Sequence, residues 1–466
     1  MNLEICLYMG KWRCFTKCGI RYGGERSISY IWHMQSPGMD FLNSRLMFGM
    51  VPRLESTRKI CEMLGNPQRK FRTIHIVGTN GKGSTSYYLA GILQAHGFKT
   101  GLFTSPHLVS LRERIRVNDV PISGDDLERL LLRVQAAAQQ ATVEPTFFEV
   151  LTLVSFLYYA EQGVDVVSME AGMGGRLDST AVACGDIVVV TSIGLEHTEV
   201  LGPTENAILK EKMAVVGAGH RHHATFIVGG LSDSLLADAR TFAEDHDAEC
   251  IVPAIRTDIR LPNLGRHYIE NASLSLAAAE CFICCAGRAF DDSLALKTLK
   301  TCSWAGRMQQ LTDKDGRVRY ILDGAHNSHA VRRLVQTLKE NYPDVRFHCV
   351  FGALKDKDVG EMLRLMSPCV SHWHITRTPY PRFRELDDLR VELANLGLNV
   401  ASEGVLSRDF LDKVAAAVDV EDDCQKAPVL VTGSLYMIGE TVLALKDDFD
   451  ELAFFRGLTP TTNEHR

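Results

Sequence analysis

The sequence predicts an α/β fold in which a P-loop domain with a parallel sheet precedes a smaller α/β domain. Three observations support this prediction. Short apolar runs typical of buried strands alternate with helical patterns along most of the chain. The length of 466 residues exceeds what one core commonly supports, since domains have roughly 100 to 200 residues. The first apolar strand leads into a helix through a glycine-rich turn, as in βαβ units that bind phosphate.

Residues 1–38 lack the periodicity of helices or strands. They mix aromatic, basic and glycine residues, without the apolar core of a signal peptide or a clean Arg-rich amphipathic pattern. Regular patterning begins at Met39, so we expect an irregular extension that the enzyme does not need. A start codon assigned too early would also explain it.

The first alternating series predicts a P-loop domain over residues 39–300. Its strands are continuous apolar runs, which is typical of parallel strands covered by helices on both faces. The expected elements are strands at 73–77, before Thr104, at 164–169 and at 186–193, with helices that end near Gly97 and cover 148–160.

A second alternating series follows Ser303 and predicts a smaller domain over residues 301–466. Strands are expected near 320–322, 346–351 and 429–431, with helices between them. We place the division between the domains at 300, within a transition that spans 296–306.

Composition limits the class of partner. No stretch approaches the ~20 apolar residues that a membrane helix needs, and the net charge of -6 gives no broad attraction for nucleic acid. We therefore expect small-molecule partners, no nucleic acid, no membrane, and a monomer. The 13 cysteines are an odd number in largely apolar surroundings, which suits reduced thiols and a cytoplasmic location. Cys14 and Cys18 lack the second pair that a zinc site would need.

The glycine-rich turn after the first strand is the strongest local sign of chemistry. Residues 78–85, GTNGKGST, join a buried strand to a helix, where backbone N–H groups can surround phosphate oxygens. Lys82 adds a positive charge, although Gly83 separates it from the hydroxyls, unlike in the common P-loop. A turn without a ligand is the alternative. The expected phosphate-binding residues are Gly78, Thr79, Asn80, Gly81, Lys82, Gly83 and Ser84.

Polar residues also follow three other predicted strands. Glu170 ends a strand before a flexible glycine segment, His197 follows the next strand, and Asp323 ends a strand of the second series. Ligands of open α/β sheets bind at the carboxyl ends of the strands, so these residues could meet at one site. Taken singly, each is also explained by a solvated strand end, a surface histidine or a polar turn.

These segments together resemble the folylpolyglutamate synthase and dihydrofolate synthase family of Mur-type ligases. The resemblance extends from Met39 to about Lys446, and the motifs occur in the family order. They are GTNGKGST at 78–85, TSPHL at 104–108, RERIRVND at 112–119, EAGMGGRLD at 170–178, GLEHTEVLG at 194–202, NASL at 271–274, GRMQ at 306–309, DGAHN at 323–327 and VTGSLY at 431–436.

The resemblance implies a Rossmann-like carboxyl-terminal domain and an ATP site between the two domains. It implies that Mg²⁺, in two sites, assists phosphoryl transfer, and that Lys82, His197 and Lys212 are catalytic. Magnesium keeps few protein ligands and takes the others from water and phosphate. By similarity, Ser105, Glu170 and His197 bind magnesium, while Asn271, Arg307, Asp323 and His326 approach ATP.

Lys212 matches the family lysine that is carbamylated, and the carbamate would supply oxygen ligands to a second magnesium. Without the resemblance, residues 210–212 would be a charged helix face. Two positions depart from the family pattern, because Ala181 stands where asparagine is usual and Ala305 where proline is usual.

The implied reaction joins L-glutamate to dihydropteroate, to the γ-carboxylate of folate, or to both, and the residues do not decide among these. The acyl substrate attacks ATP to form an acyl phosphate, and the amine of glutamate then displaces phosphate. One alternative is a Mur-type ligase that acts on another carboxylate. Another is a P-loop phosphotransferase that forms no amide.

Overall fold

A computed structural model describes residues 36–45, 53–216, 224–421, 427–456 and 458 of the chain. Residues 1–35, most of the expected extension, lie outside the described residues. The boundary at Met39 stays a prediction, although the first described helix already begins at Pro37. The Ser36 hydroxyl and the Gly38 N–H both donate to the carboxylate of Glu128, so these residues belong to the folded part.

The first half of the described chain contains an eight-stranded sheet with helices on both faces. Its strands are β1 (Arg72–Val77), β2 (Thr100–Phe103), β3 (Ile115–Val117), β4 (Val120–Pro121), β5 (Val166–Glu170), β6 (Ile187–Val190), β7 (Thr225–Val228) and β8 (Glu249–Ile251). Its helices are α1 (Pro37–Ser44), α2 (Glu55–Met63), α3 (Lys82–Ala95), α4 (Gly124–Ala141), α5 (Phe147–Gln162), α6 (Thr198–Leu201), α7 (Glu205–Met213) and α8 (Asp233–Asp245).

The strand order in this sheet is β4-β3-β2-β5-β1-β6-β7-β8. The six strands from β2 to β8 in this order are parallel, which confirms the predicted parallel core. The hairpin of β3 and β4 is antiparallel and forms one edge. The sequence analysis missed it because these strands have only three and two residues.

Alternating side chains explain the two layers of helices. Val167, Val188 and Phe226 point to one face and belong to a core that also contains side chains of α4, α5, α7 and α8. Ile74 and Ile187 point to the other face and pack with α3 and with the two helices that follow the sheet, α9 (Arg266–Cys285) and α10 (Asp292–Leu299). Each such side chain contributes about 1.5–3 kcal/mol when it is fully buried.

The second half contains a six-stranded sheet of order β13-β12-β11-β14-β10-β9. All neighbouring pairs are parallel except β9 with β10. The strands are β9 (Gln309–Thr312), β10 (Val318–Asp323), β11 (Phe347–Phe351), β12 (Val370–Arg377), β13 (Val400–Val405) and β14 (Val429–Thr432). The helices are α11 (Ser328–Asn341), α12 (Val359–Met366), α13 (Leu386–Asn395), α14 (Arg408–Glu421), α15 (Leu435–Leu445) and α16 (Ala453–Arg456).

This second sheet has its own core on each face, built from α11, α12 and α13 on one side and α14 and α15 on the other. The strands predicted near 320–322, 346–351 and 429–431 are present as β10, β11 and β14. The division at residue 300 stays a prediction; it falls after α10, between the last strand of one sheet and the first strand of the other. No helix in the described part of the chain combines the length and apolarity that a membrane span requires.

Candidate active site

The carboxyl ends of strands from both sheets meet at two adjoining clefts. Gly78 follows β1, Glu170 ends β5, and Thr191 follows β6. Asp323 ends β10 of the second sheet. Asn80, Gly81, Thr191 and Asp323 all line one cleft of about 740 Å³, which we name the first cleft. The structure therefore brings the predicted turn and the second series of strands to a shared site, as open α/β sheets commonly do.

Residues 78–84, named here the glycine loop, have a backbone that two glycines make possible. Gly78 has φ +145° and Gly81 has φ +90°, conformations that other residues rarely adopt. A Cβ on Gly78 would collide with Thr191 Oγ1, and one on Gly81 would lie 2.6 Å from Asn271 Oδ1. The loop thus needs glycine for both φ and space, and Asn271 lies against it from α9.

Lys82 begins α3 and folds back over the glycine loop. Its Nζ donates to the carbonyl oxygens of Gly78 and Thr79, at 2.8 and 3.1 Å. The side chain is only partly buried. An ammonium held over the N-terminus of a helix adds to the positive potential of the helix N–H groups. This arrangement suits the binding of phosphate.

Glu170 is buried beside this loop. Its Oε2 accepts the Ser105 N–H at 2.9 Å, and a Cβ on Gly83 would lie 3.5 Å from the same oxygen. Burial raises the pKa of Glu170 to about 7, although Lys82, the Ser105 N–H, Arg307 and Arg114 oppose the rise. A bound cation would relieve this cost, so the donor chemistry fits a magnesium ion.

His197 lies among the lysines that surround the glycine loop, since the charges of Lys82, Lys212 and Lys357 all act on it. It precedes α6 with a left-handed φ of 47°, and the charge of Glu196 also acts on its pKa. Burial lowers its pKa, which favours the neutral imidazole that a metal ligand requires. Within the described residues no group of three or more His, Cys, Asp or Glu side chains is placed to hold a metal ion.

Lys212 on α7 is almost fully buried, with 1% of its side chain exposed. Its Nζ donates to Glu196 Oε1 at 2.8 Å and to the Gly78 carbonyl at 2.9 Å. Burial, and the charge of Lys82 next, lower the pKa of Lys212 to about 8, while Glu196 opposes the shift. Sequence reasoning missed Glu196, although it directly precedes His197.

The second sheet contributes Asp323 to one wall of the first cleft. Hydrogen bonds from the same chain hold this carboxylate in place. Asp323 Oδ2 accepts the Met308 N–H at 2.9 Å and the Tyr268 hydroxyl at 3.3 Å, and Oδ1 accepts the Ala325 N–H at 2.9 Å. Burial raises the pKa of Asp323, and Arg307 opposes the rise. Much of its capacity to accept hydrogen bonds is therefore used by the protein.

His326 and Arg307 complete this wall. His326 Nδ1 lies 2.8 Å from the Gly324 carbonyl, and burial lowers the pKa of His326 to about 4, so its imidazole is neutral at pH 7. The Arg307 guanidinium donates to the Gly306 carbonyl at 3.3 Å. Tyr268, which reaches this wall from α9, was missed because a tyrosine within an apolar helix carries no distinctive sequence signal.

A second cleft of about 940 Å³ is lined by Gly83 of the glycine loop, whereas Asn80, Gly81 and Ser84 line the first cleft. Arg307 lines both clefts. The second cleft also contains Ser105, Glu170 and Trp304. Of the two departures from the expected pattern, Ala181 is buried in the core of the first sheet and Ala305 lines the second cleft.

Known proteins share this arrangement of domains. The family model of the Mur ligase middle domain matches residues 76–250, and that of the Mur ligase glutamate ligase domain matches residues 306–435. A dihydrofolate synthase/folylpolyglutamate synthase of Bacillus subtilis is 32% identical over 437 residues, which is 87% of this chain and 98% of that protein.

Solved structures are similar over the same extent. A folylpolyglutamate synthase of Mycobacterium tuberculosis complexed with ADP and AMPPCP has a TM-score of 0.76 and 26% identity, and covers 87% of this chain and 98% of its own. A bifunctional folylpolyglutamate synthase/dihydrofolate synthase of Yersinia pestis, complexed with AMPPNP and Mn ion, has a TM-score of 0.74 and 26% identity, with 88% and 98% covered. The similarity therefore extends over both sheets.

Proposed function

Because the chain belongs to the folylpolyglutamate synthase/dihydrofolate synthase family of Mur ligases, we propose that its two adjoining clefts hold ATP and an acyl substrate. The chain is an ATP-dependent ligase that adds L-glutamate to dihydropteroate, to folate, or to both. The first cleft takes ATP in this proposal. The residues proposed to contact ATP are Gly78, Thr79, Asn80, Gly81, Lys82, Gly83, Ser84, Asn271, Arg307, Asp323 and His326.

The position of Glu170 and Arg307 supports this proposal most directly. Glu170 lies beside Gly83 in the second cleft, and Arg307 lines both clefts. A terminal phosphate held by the glycine loop would therefore face the second cleft, where a carboxylate could approach it in line. Phosphoryl transfer needs such positioning, together with neutralisation of charge, more than it needs a protein nucleophile.

The reaction then proceeds in two steps. A carboxylate oxygen of the pteroate or folate attacks the γ-phosphorus of ATP, the bond to the β,γ-bridging oxygen breaks, and ADP leaves. Lys82 and Arg307 offset the charge on the transferred group. The neutral amine of glutamate attacks the acyl phosphate carbonyl, and the tetrahedral intermediate expels phosphate as the amide forms. Enclosure of the site between two domains would limit hydrolysis of the acyl phosphate.

Ser105, Glu170 and His197 are proposed to hold Mg²⁺. When bound there, the metal supplies positive charge to the phosphate oxygens of ATP. The Yersinia pestis relative carries a manganese ion with AMPPNP, which is consistent with use of a divalent metal. In this protein Glu170 would give the anionic ligand, since its buried carboxylate gains most from a nearby cation.

Lys212 is proposed to be carbamylated and to contribute to a second magnesium site. Only a neutral amine reacts with CO₂, and the lowered pKa of Lys212 increases the neutral fraction near pH 7. A carbamate would lie close to the Glu196 carboxylate, so the two anions would repel unless a cation lay near both. This need for a cation links the modification to metal binding.

A two-substrate assay tests the proposed function. ADP release and amide formation would be measured with Mg-ATP, L-glutamate and either dihydropteroate or tetrahydrofolate. The expected result is ADP release that requires both glutamate and at least one of the two acyl substrates. Release of ADP without glutamate, or with no amide product, would support a phosphotransferase and reject the ligase.

A further inference from the structure

The glycine loop also contacts the second domain through a side chain. Asn80, at the tip of the loop, points its carboxamide across the first cleft toward the start of α11. Asn80 Nδ2 lies 2.7 Å from His329 Nδ1. Asn327 Nδ2 approaches Asn80 Oδ1 at 3.5 Å from the same helix start. The glycine loop and α11 therefore contact each other through the side-chain amide of Asn80.

The backbone of Asn80 is fixed from the opposite side. Thr191 Oγ1 and Ser192 Oγ donate to the Asn80 carbonyl at 2.7 and 3.0 Å. The Asn80 N–H donates to Ser192 Oγ at 3.2 Å. The backbone of Asn80 is thus hydrogen-bonded to the residues that follow β6. Its side chain therefore connects the first sheet to α11.

The chemistry of the contact fixes the state of His329. Asn80 Oδ1 accepts from Asn327, which turns Nδ2 toward His329. In this arrangement Nδ1 accepts through its lone pair, and the imidazole is neutral with its proton on Nε2. Burial is the largest cause of a lowered pKa at His329, and Arg333 lowers it further, although Glu196 and Glu205 act in the opposite direction. The neutral form that the hydrogen bond needs is therefore favoured.

We propose that His329 is a positioning residue, which holds the glycine loop through Asn80 and so sets the separation between the two walls of the first cleft. His329 and Asn80 both line this cleft. A loop already held at the correct distance from Asp323 and His326 would lose little conformational entropy when nucleotide binds, as in other preorganised sites. This proposal rests on the assignment of the first cleft to ATP.

Three variants separate the hydrogen bond from general packing. His329→Leu keeps bulk and removes the acceptor. His329→Asn places a carbonyl oxygen near the position of Nδ1 and keeps an acceptor. Gln336→Leu changes an exposed residue on the same helix, whose amide donates to Glu340 at 2.8 Å, and serves as the control.

The first readout is steady-state kinetics with Mg-ATP as the varied substrate. His329→Leu should raise KM for ATP about 3- to 10-fold, the range expected for one hydrogen bond, with a smaller change in kcat. His329→Asn should recover most of the wild-type KM, and Gln336→Leu should match the wild type. An unchanged or lower KM in His329→Leu would overturn the proposal, since a lower value would mean that the contact competes with nucleotide.

A double-mutant cycle tests whether His329 acts through Asn80. If it does, Asn80→Ala with His329→Leu should be no worse than Asn80→Ala alone. Additive effects would show that His329 acts by another route and would reject the proposed role.

Hydrogen exchange of the peptide that contains residues 78–84 gives a readout independent of turnover. His329→Leu should exchange faster there than His329→Asn, in the absence of any substrate. Equal exchange in both variants would contradict the proposal. If the wild type formed no amide, the proposed function would fail, yet this comparison would still decide whether the contact holds the loop.

Discussion

The two sheet edges that form the site satisfy their polar groups differently. At the first edge, Lys82 and Lys212 both donate to the carbonyl of Gly78, and Glu170 is buried beside them. At the second edge, Asp323 accepts three hydrogen bonds from its own chain. The first edge concentrates charged groups that a ligand would neutralise. At the second edge, the hydrogen-bonding capacity of Asp323 is already largely satisfied by the protein. Substitutions at the first edge should therefore affect turnover alone. Substitutions at the second edge should affect both turnover and the free energy of unfolding.

Lys82→Ala should give the largest effect. We expect a loss of about 10²–10³-fold in kcat/KM, because one charge aimed at the transferred phosphate is removed. The midpoint of urea unfolding should stay close to that of the wild type, since Lys82 is partly exposed. Lys210→Ala, an exposed lysine on α7, is the matched control. Near-normal turnover in folded Lys82→Ala would mean that the glycine loop has only a structural role.

Lys212→Ala should reduce turnover by about 10- to 100-fold, as loss of a group that supports a metal often does. Acetate should restore part of the activity, because it can supply the oxygen ligands of the missing carbamate. Lys82→Ala should not respond to acetate. An unmodified ammonium at Lys212 in an active, nucleotide-bound crystal, or full activity in Lys212→Ala, would reject the carbamate.

Asp323→Ala tests the second edge. The substitution leaves the Met308 and Ala325 N–H groups without their acceptor, which should cost about 2–3 kcal/mol in the free energy of unfolding. Asp323→Asn keeps one carbonyl oxygen and should cost less. Urea unfolding followed by circular dichroism measures both. An Asp323→Ala protein that is inactive but as stable as the wild type would place Asp323 with the first edge and break the comparison.

His326 should give the smallest effect, one that depends on pH. Its pKa is about 4 in the folded chain and near 6.5 when unfolded. As the pH falls from 6.5 to 4, the unfolded chain gains a proton that the folded chain does not, so stability declines through that window and no further below it. His326→Asn should show a shallower decline between pH 7 and 5. Equal slopes in the two proteins would contradict this account.

The sequence was most informative where a local pattern determines the structure. The strand before Gly78 and the helix after Gly81 were predicted because apolar runs and glycines determine them locally. The carboxyl-edge rule also placed Glu170 and Asp323 near the site, since parallel strands end at a shared edge. The helix Pro37–Ser44 was not predicted, because its cap, Ser36, lies in a segment without periodicity.

Contacts between distant segments could not be predicted in this way. Glu196 pairs with Lys212 across 16 residues, and His329 meets Asn80 across 249. Tyr268 reaches Asp323 from a helix whose pattern is that of a buried element. These contacts depend on how the two sheets are joined, and a single sequence carries no local signal for that geometry.

Arg307 lies where the two clefts adjoin, and this has a consequence for inhibitor chemistry. A compound confined to one cleft would compete with one substrate and lose potency as that substrate accumulates. A compound with a nucleotide portion in the first cleft and an acyl portion in the second would have to pass Gly83 and Arg307. The part of the compound between Gly83 and Arg307 should be tetrahedral and anionic, as a phosphinate is. The distance between the two clefts, rather than the volume of either, would set the length of this linker.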